Sequence, residues 1–191
     1  MHISAIRYGS PFVDWPKDDV FTESFADVAS WSTYEPQWQR RYLGVAAGER
    51  DSLRALFNDV ILDVAWALFE ERMLADPKSD PNRVWTDITS EYLGVAPHPE
   101  ISWWAIRGQL VSQPGYMFTY GYGAMMTAEL RERTRRLIGN FHSGNPRWYP
   151  LLSQKLLRFG SKRDASKLVR KFLGHPVAAD ALLRQFARLQ E

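Results

Sequence analysis

The chain has 191 residues, 45% apolar and 14% aromatic with eight tryptophans, which is enough to bury a sizeable core and excludes a wholly disordered polymer. It has no cysteine, which excludes disulfides and thiolate metal sites and leads us to expect a reducing, cytoplasmic setting. The formal net charge of +2 hides a division: residues 129–191 carry 14 basic and 5 acidic side chains, the remainder 10 and 17.

Taken in chain order, the pattern is helical nearly throughout, and an all-α fold in a single helical domain over 1–191 is expected. Residues 18–34 open on Asp18-Asp19, acids suited to a helix N-terminus, and carry Val20, Phe21, Phe25, Val28 and Trp31 at helical spacing. Residues 49–75 give the clearest helix, with a broad stripe through Leu53, Leu56, Val60, Val64 and Leu68. Pro77 and Pro81 bracket a loop, and a short helix through Val84, Trp85, Ile88 and Tyr92 stops at Gly94. The prolines of Val95-Ala96-Pro97-His98-Pro99 make a connector. Helix resumes over 101–112, breaks at Gln113-Pro114-Gly115, and runs again from about Tyr116 to Ile138, ending at Gly139. Asn145-Pro146 reads as an N-cap followed by proline at the first helical position, Gly160 and Gly174 as stops, and a last helix covers about 177–190. The N-terminus, Met1-His2-Ile3-Ser4, has no signal-peptide pattern, and no apolar run approaches transmembrane length, so no membrane partner is expected.

Two short motifs carry possible chemistry. In Phe21-Thr22-Glu23-Ser24-Phe25-Ala26-Asp27, Glu23 and Asp27 lie one turn apart, on the side of Val20 and near Trp31. Carboxylates on a buried face need a metal, a cation or hydrogen bonds, while on a surface helix they are only solvated acids. The second motif, Gly115-Tyr116-Met117-Phe118-Thr119-Tyr120-Gly121-Tyr122-Gly123, is a turn leading into a helix. Its aromatic rings and small residues also suit simple close packing of two helices. Tyrosine phenols are neutral donors, able to stabilise a developing oxyanion more than a ground-state carbonyl.

Together these motifs resemble the C-terminal part of the gluzincin zinc metallopeptidases, the group of thimet oligopeptidase, oligopeptidase F and carboxypeptidase Taq. Met1-His2 is similar to the tail of that family's H-E-x-G-H-A-M-H phrase, with Glu23 at a suitable distance beyond it. The resemblance implies Glu23 as third zinc ligand, Asp27 as the partner that orients a zinc-bound histidine, and Tyr116 and Tyr120 as oxyanion donors. Tyr122 matches less closely. The family's histidine before the Gly-Tyr turn is missing, with Gln109 or Gln113 as substitutes. In the intact family, zinc and the glutamate of H-E-x-x-H activate water against a peptide substrate.

No H-E-x-x-H occurs here, and His2, His98, His142 and His175 never pair at ligand spacing. The expectation is therefore a truncated or partial peptidase domain that binds zinc weakly or not at all and is inactive alone. Apolar surface left by the absent half suggests self-association. The arginines from Arg131 to Arg136 are read as a solvated helix face, and Trp103-Trp104 as core and interface. The rival reading is a non-catalytic helical binding protein whose basic C-terminal third grips nucleic acid or an acidic partner, although no nucleic-acid motif accompanies that charge.

Overall fold

A computed structural model describes residues 18–45 and 47–190, and all the regular structure among them is helical. Helix α1 spans Asp19–Ser30 and continues as a 3-10 turn, Trp31–Tyr34. It starts where expected because the Asp18 carboxylate accepts the Phe21 N–H at 2.9 Å. Helix α2, Pro36–Leu43, was not legible beforehand, for it buries no residue and so shows no apolar stripe. Helix α3 is Glu49–Ala75, with the expected bounds. Helix α4, Pro81–Leu93, begins on an Asp80 cap that accepts the Asn82 N–H at 2.9 Å, and ends at Gly94, whose φ of 65° is costly for any residue with a Cβ.

The expected helix over 101–112 is instead a 3-10 turn, Trp103–Ile106, and the single-turn α5, Gln109–Ser112. Helix α6, Met117–Ile138, is the axis of the fold and packs on α1 and α3. Helix α7 is Trp148–Lys155. It starts two residues beyond the expected Asn145-Pro146 pair, although Asn145 Oδ1 accepts the Arg147 N–H at 3.0 Å, and the Asn145 amide also donates to the Ile138 and Asn140 carbonyls, tying the end of α6 to the loop. Helix α7 already ends at Lys155, and Gly160 breaks the following 3-10 stretch, Leu157–Lys162, with a non-helical φ of 51° and ψ of −130°. Helix α8, Ala165–Leu173, ends at Gly174, and α9 is Asp180–Ala187, shorter than the expected 177–190.

Helix α6 contributes to three apolar clusters in turn. Met117 joins Trp66, Phe69, Trp85 and Ile88 of α3 and α4. Ala124 and Ala128 meet Leu56, Val60 and Leu182. Met126 and Leu130 meet Phe21, Val28, Leu152, Val169 and Phe172. Its small residues allow this. A Cβ on Gly121 would stand 3.6 Å from the Ala67 Cβ of α3, and one on Gly123 would stand 3.3 Å from the Ser24 Oγ of α1. The packing role anticipated for these glycines therefore holds alongside any role of the tyrosines.

One expectation fails outright. Arg131 is not on a solvated face: it is 1% exposed. Its guanidinium donates to the Val28 carbonyl at 2.5 Å, to Ser32 Oγ at 3.2 Å and to Glu35 Oε1 at 3.1 Å, closing the C-terminal end of α1. Burial, with Arg135 beside it and Glu35 opposing, lowers its pKa to about 10, so it stays cationic at neutral pH. Arg135 shares the same Glu35 oxygen at 2.6 Å, while Arg136 is solvated as expected and pairs with Glu132. The tryptophan pair divides: Trp104 packs on Phe69 and donates to Asn82 Oδ1 at 2.7 Å, whereas Trp103 is exposed.

Candidate functional site

The two motifs meet where α1, α3 and the start of α6 converge. Tyr116, the residue just before α6, donates its phenol proton to Glu23 Oε1 at 2.5 Å. Tyr120, one turn on, packs its ring edge-on to Tyr116 with centroids 5.6 Å apart. Glu23, Asp27, Tyr116 and Tyr120 are all half-buried, so neither motif is a freely solvated face. Asp27 uses Oδ1 to accept a bond from Ser30 Oγ at 2.8 Å. Tyr122 is 46% exposed and lies with Asp18, Val20 and Met126 on another part of the surface.

Four side chains complete the site without having been singled out from the sequence. Asp59 and Asp63, a second pair of acids one turn apart, lie on α3. Tyr34 donates to Asp59 Oδ2 at 3.4 Å. Arg107 supplies the positive charge: its guanidinium is 3.9 Å from Asp63 Oδ1 and stands over the Tyr120 ring at 5.7 Å. It comes from the segment before the Gly-Tyr turn, where a glutamine had been expected to act. Gln113 instead is exposed and contributes its backbone carbonyl, which accepts the Tyr116 N–H at 3.0 Å.

Glu70 holds the tyrosine turn in place. Its carboxylate is 3% exposed and accepts the Gly115 N–H at 2.7 Å and the Met117 N–H at 2.8 Å. These amides precede and open α6, where a negative charge also meets the favourable, positive end of the helix dipole. The sequence does carry a signal for these acids. Asp63 and Glu70 fall seven and fourteen residues after Leu56, on the stripe that faces the core.

The gathered charges shift the titration of their neighbours. Burial, then Asp59, raises the Asp63 carboxyl from its ordinary 3.8 to about 7, against the opposing pull of Arg107. Burial also raises Asp27, with the Ser30 bond opposing it. The hydrogen bond to Glu23 raises the Tyr116 phenol, and burial raises Tyr120. Both phenols are therefore protonated donors at neutral pH. A carboxyl titrating near neutrality beside protonated phenols is equipped to pass a proton and to hold a developing negative charge.

No family model, curated protein or solved structure matches this chain.

The donor set tests the zinc expectation on its own terms. Glu23 offers a carboxylate, but no described histidine joins it. His98 Nδ1 lies 2.9 Å from the Ala96 carbonyl, His142 Nδ1 3.9 Å from Glu35, and His175 Nε2 3.6 Å from Glu129. Among the described residues, no group of three His, Cys, Asp or Glu is arranged to hold a metal. The described residues thus do not fit zinc by themselves. His2, part of the expected Met1-His2 register, lies outside the described residues. Among those same residues, no helix is long and apolar enough to cross a membrane.

Proposed function

We propose that this chain supplies one wall of a peptidase-like site, with Glu23 and Asp27 as its acidic face and Tyr116 and Tyr120 as its phenol donors. One observation carries the reading: the Tyr116 hydroxyl reaches Glu23 at 2.5 Å across 93 residues of sequence. Two motifs that resemble separate parts of the gluzincin oligopeptidases thereby face one space. The raised phenol pKa values keep both tyrosines in the donor form that oxyanion stabilisation needs. An H-E-x-x-H helix, from a longer form of this protein or from another chain, completes the site. Alone, the chain holds zinc weakly and does not turn over peptides.

The DNA upstream of Met1, and the protein it extends, test this directly. An in-frame H-E-x-x-H close before Met1 is expected. The extended protein should then carry zinc, lose it on Glu23→Ala, and keep it on Tyr116→Phe while turnover falls by about 10²-fold. Zinc content indifferent to Glu23 in that protein, or one tightly held zinc with peptide turnover in the 191-residue chain, overturns the reading.

The apolar surface required for an assembly of this kind is present around the 3-10 turn and α5. Ile106 is 74% exposed and Val111 80%. We assign this patch to contact with the completing segment or with a second copy. The rival reading, binding through the basic C-terminal third, has a narrower footing than composition suggests. Arg131 and Arg135 are tied to Glu35, Arg136 and Arg184 to Glu132, and Arg188 to Glu49.

A further inference from the structure

We infer that a second cavity, formed by α6, α7, α8 and the 3-10 stretch between α7 and α8, binds a single-chain amphiphile with an anionic head, a carboxylate or a phosphate. The cavity has a volume of about 460 Å³ and lies apart from the tyrosine–carboxylate cluster. Among the described residues, five cationic side chains line it, Arg133, Lys155, Arg158, Arg163 and Lys171, and not one carboxylate. Elsewhere in the basic third, by contrast, Arg131, Arg135, Arg136, Arg184 and Arg188 are matched to Glu35, Glu132 and Glu49. Among the described residues, Arg133, Lys155, Arg163 and Lys171 have no ion-pair partner. Like charges around one concavity repel one another, and an anion entering it relieves that repulsion.

The rest of the wall fixes the class of ligand. Leu137, Leu151, Phe159, Leu168 and Phe172 present an apolar surface within the cationic rim. A bare inorganic anion leaves that surface wet; a ligand with an aliphatic body covers it. The volume lies within the range of small-molecule sites, about 300–1,000 Å³. Nucleic acid is the less suitable occupant, because Phe172 is buried and Phe159, the more accessible ring, is already engaged. Phe159 has the Arg163 guanidinium 4.4 Å from its centroid and that of Arg158 at 4.9 Å. The Arg163 contact also holds that guanidinium at the rim, where it can meet an oxyanion.

Calorimetric titration of the intact chain tests this, with decanoate and decyl phosphate below their micelle concentrations as probes. Inorganic phosphate supplies the head alone, decyl maltoside the body alone, and a single-stranded oligonucleotide and a polyglutamate peptide the polymeric anions. The expected result is saturable binding of one decanoate or one decyl phosphate per chain, weakened by salt, with the tighter of the two identifying the head group. The Arg163→Gln/Lys171→Gln pair, both residues exposed, should weaken it at least about tenfold, and Arg163→Lys/Lys171→Arg should restore it. Leu137→Asp, at a 46% exposed position, should weaken it without loss of helical circular dichroism. Binding of neither amphiphile by the unmodified chain overturns the inference. So does phosphate binding as tightly as decyl phosphate, or tighter binding of the oligonucleotide or the peptide. None of these readings depends on peptide turnover or on Glu23.

Discussion

Tyr116 joins two stretches of chain through one short bond from phenol to carboxylate, and that bond is where the site is most exposed to a single change. Tyr116→Phe keeps the ring contact with Tyr120 and removes only the donor, leaving a half-buried Glu23 to find another partner. A loss of about 1–2 kcal/mol in urea unfolding is expected. A loss indistinguishable from zero would place the bond outside the folded ensemble. Asp63 makes a prediction of opposite sign. Its folded pKa, about 7, lies above the ordinary 3.8, so the folded state holds a proton that the unfolded state has released. Below 3.8 both states are protonated and the residue costs nothing. Between the two values stability falls as pH rises, and above about 7 the whole penalty is present. Asp63→Asn should therefore stabilise the chain by up to about 4 kcal/mol at pH 8 and hardly at all at pH 4, measured as denaturant midpoints at the two pH values. Equal effects at both would mean the carboxylate is not the source of the strain.

The same residues show what could and could not be read in advance. Glu23, Asp27, Tyr116 and Tyr120 were found through short motifs whose spacing survives in sequence. Asp59, Asp63, Glu70 and Arg107 were not, since each is defined by a neighbour on another helix. Asp63 and Glu70 interrupt an otherwise apolar stripe, and an acid in that register is the clue that passes unnoticed when only the apolar members are counted. Arg131 misled for the converse reason. Four arginines within six residues suggest solvent, but Thr127 and Thr134 flank Arg131 at helical spacing and are as buried as it is.

At the scale of elements, α6 depends on what it is fastened to. Glu70 accepts the two amides that start it, so Glu70→Ala leaves Gly115 and Met117 N–H groups without acceptors in a mostly dry setting. A loss of about 2–3 kcal/mol is expected, and Glu70→Gln, which keeps one good acceptor, should lose roughly half of that. Chemical unfolding compares the two; equal losses would point to packing rather than hydrogen bonding. Gly123→Leu forces a side chain into the 3.3 Å space before Ser24 and should part α1 from α6. The ultraviolet titration of Tyr116 would then return towards an ordinary phenol. The elements whose bounds were legible, α3, α4 and the end of α6, carry strong stripes or a glycine stop. Those that were not, α2 and the Trp103–Ile106 turn, bury no residue and so leave no apolar register to read.

For the molecule as a whole, the division of charge seen in the sequence becomes a division of duties. Acids gather between α1 and α3 beside the tyrosines, and Arg133, Lys155, Arg163 and Lys171 gather towards the opposite end of α6, near α7 and α8. Among the described apolar residues left outside, Ile106 and Val111 are the most exposed. Sedimentation across a wide concentration range should show reversible self-association, abolished by Ile106→Glu with Val111→Glu. A monomer at every concentration would remove self-contact as the use of this patch. The all-α class was legible because nearly every segment repeats its apolar residues at three and four. The order in which helices surround α6 was not, since it follows from where glycines 121 and 123 permit close approach.

The hydrogen bonds from α6 to α1 have one more implication, for the order of events as the chain folds. Tyr116 to Glu23, Thr127 to Ser24 and Arg131 to Val28 close loops of 93, 103 and 103 residues. Loops of that length cost about 4 kcal/mol of chain entropy before any contact repays it. The α3–α4 hairpin closes a far shorter one. Nucleation is then local, around Trp66, Phe69 and Trp85, and α1 docks afterwards. Glu23 and Tyr116 come together only when the last helix is seated, so the abnormal phenol titration of Tyr116 is a clock for the completion of folding.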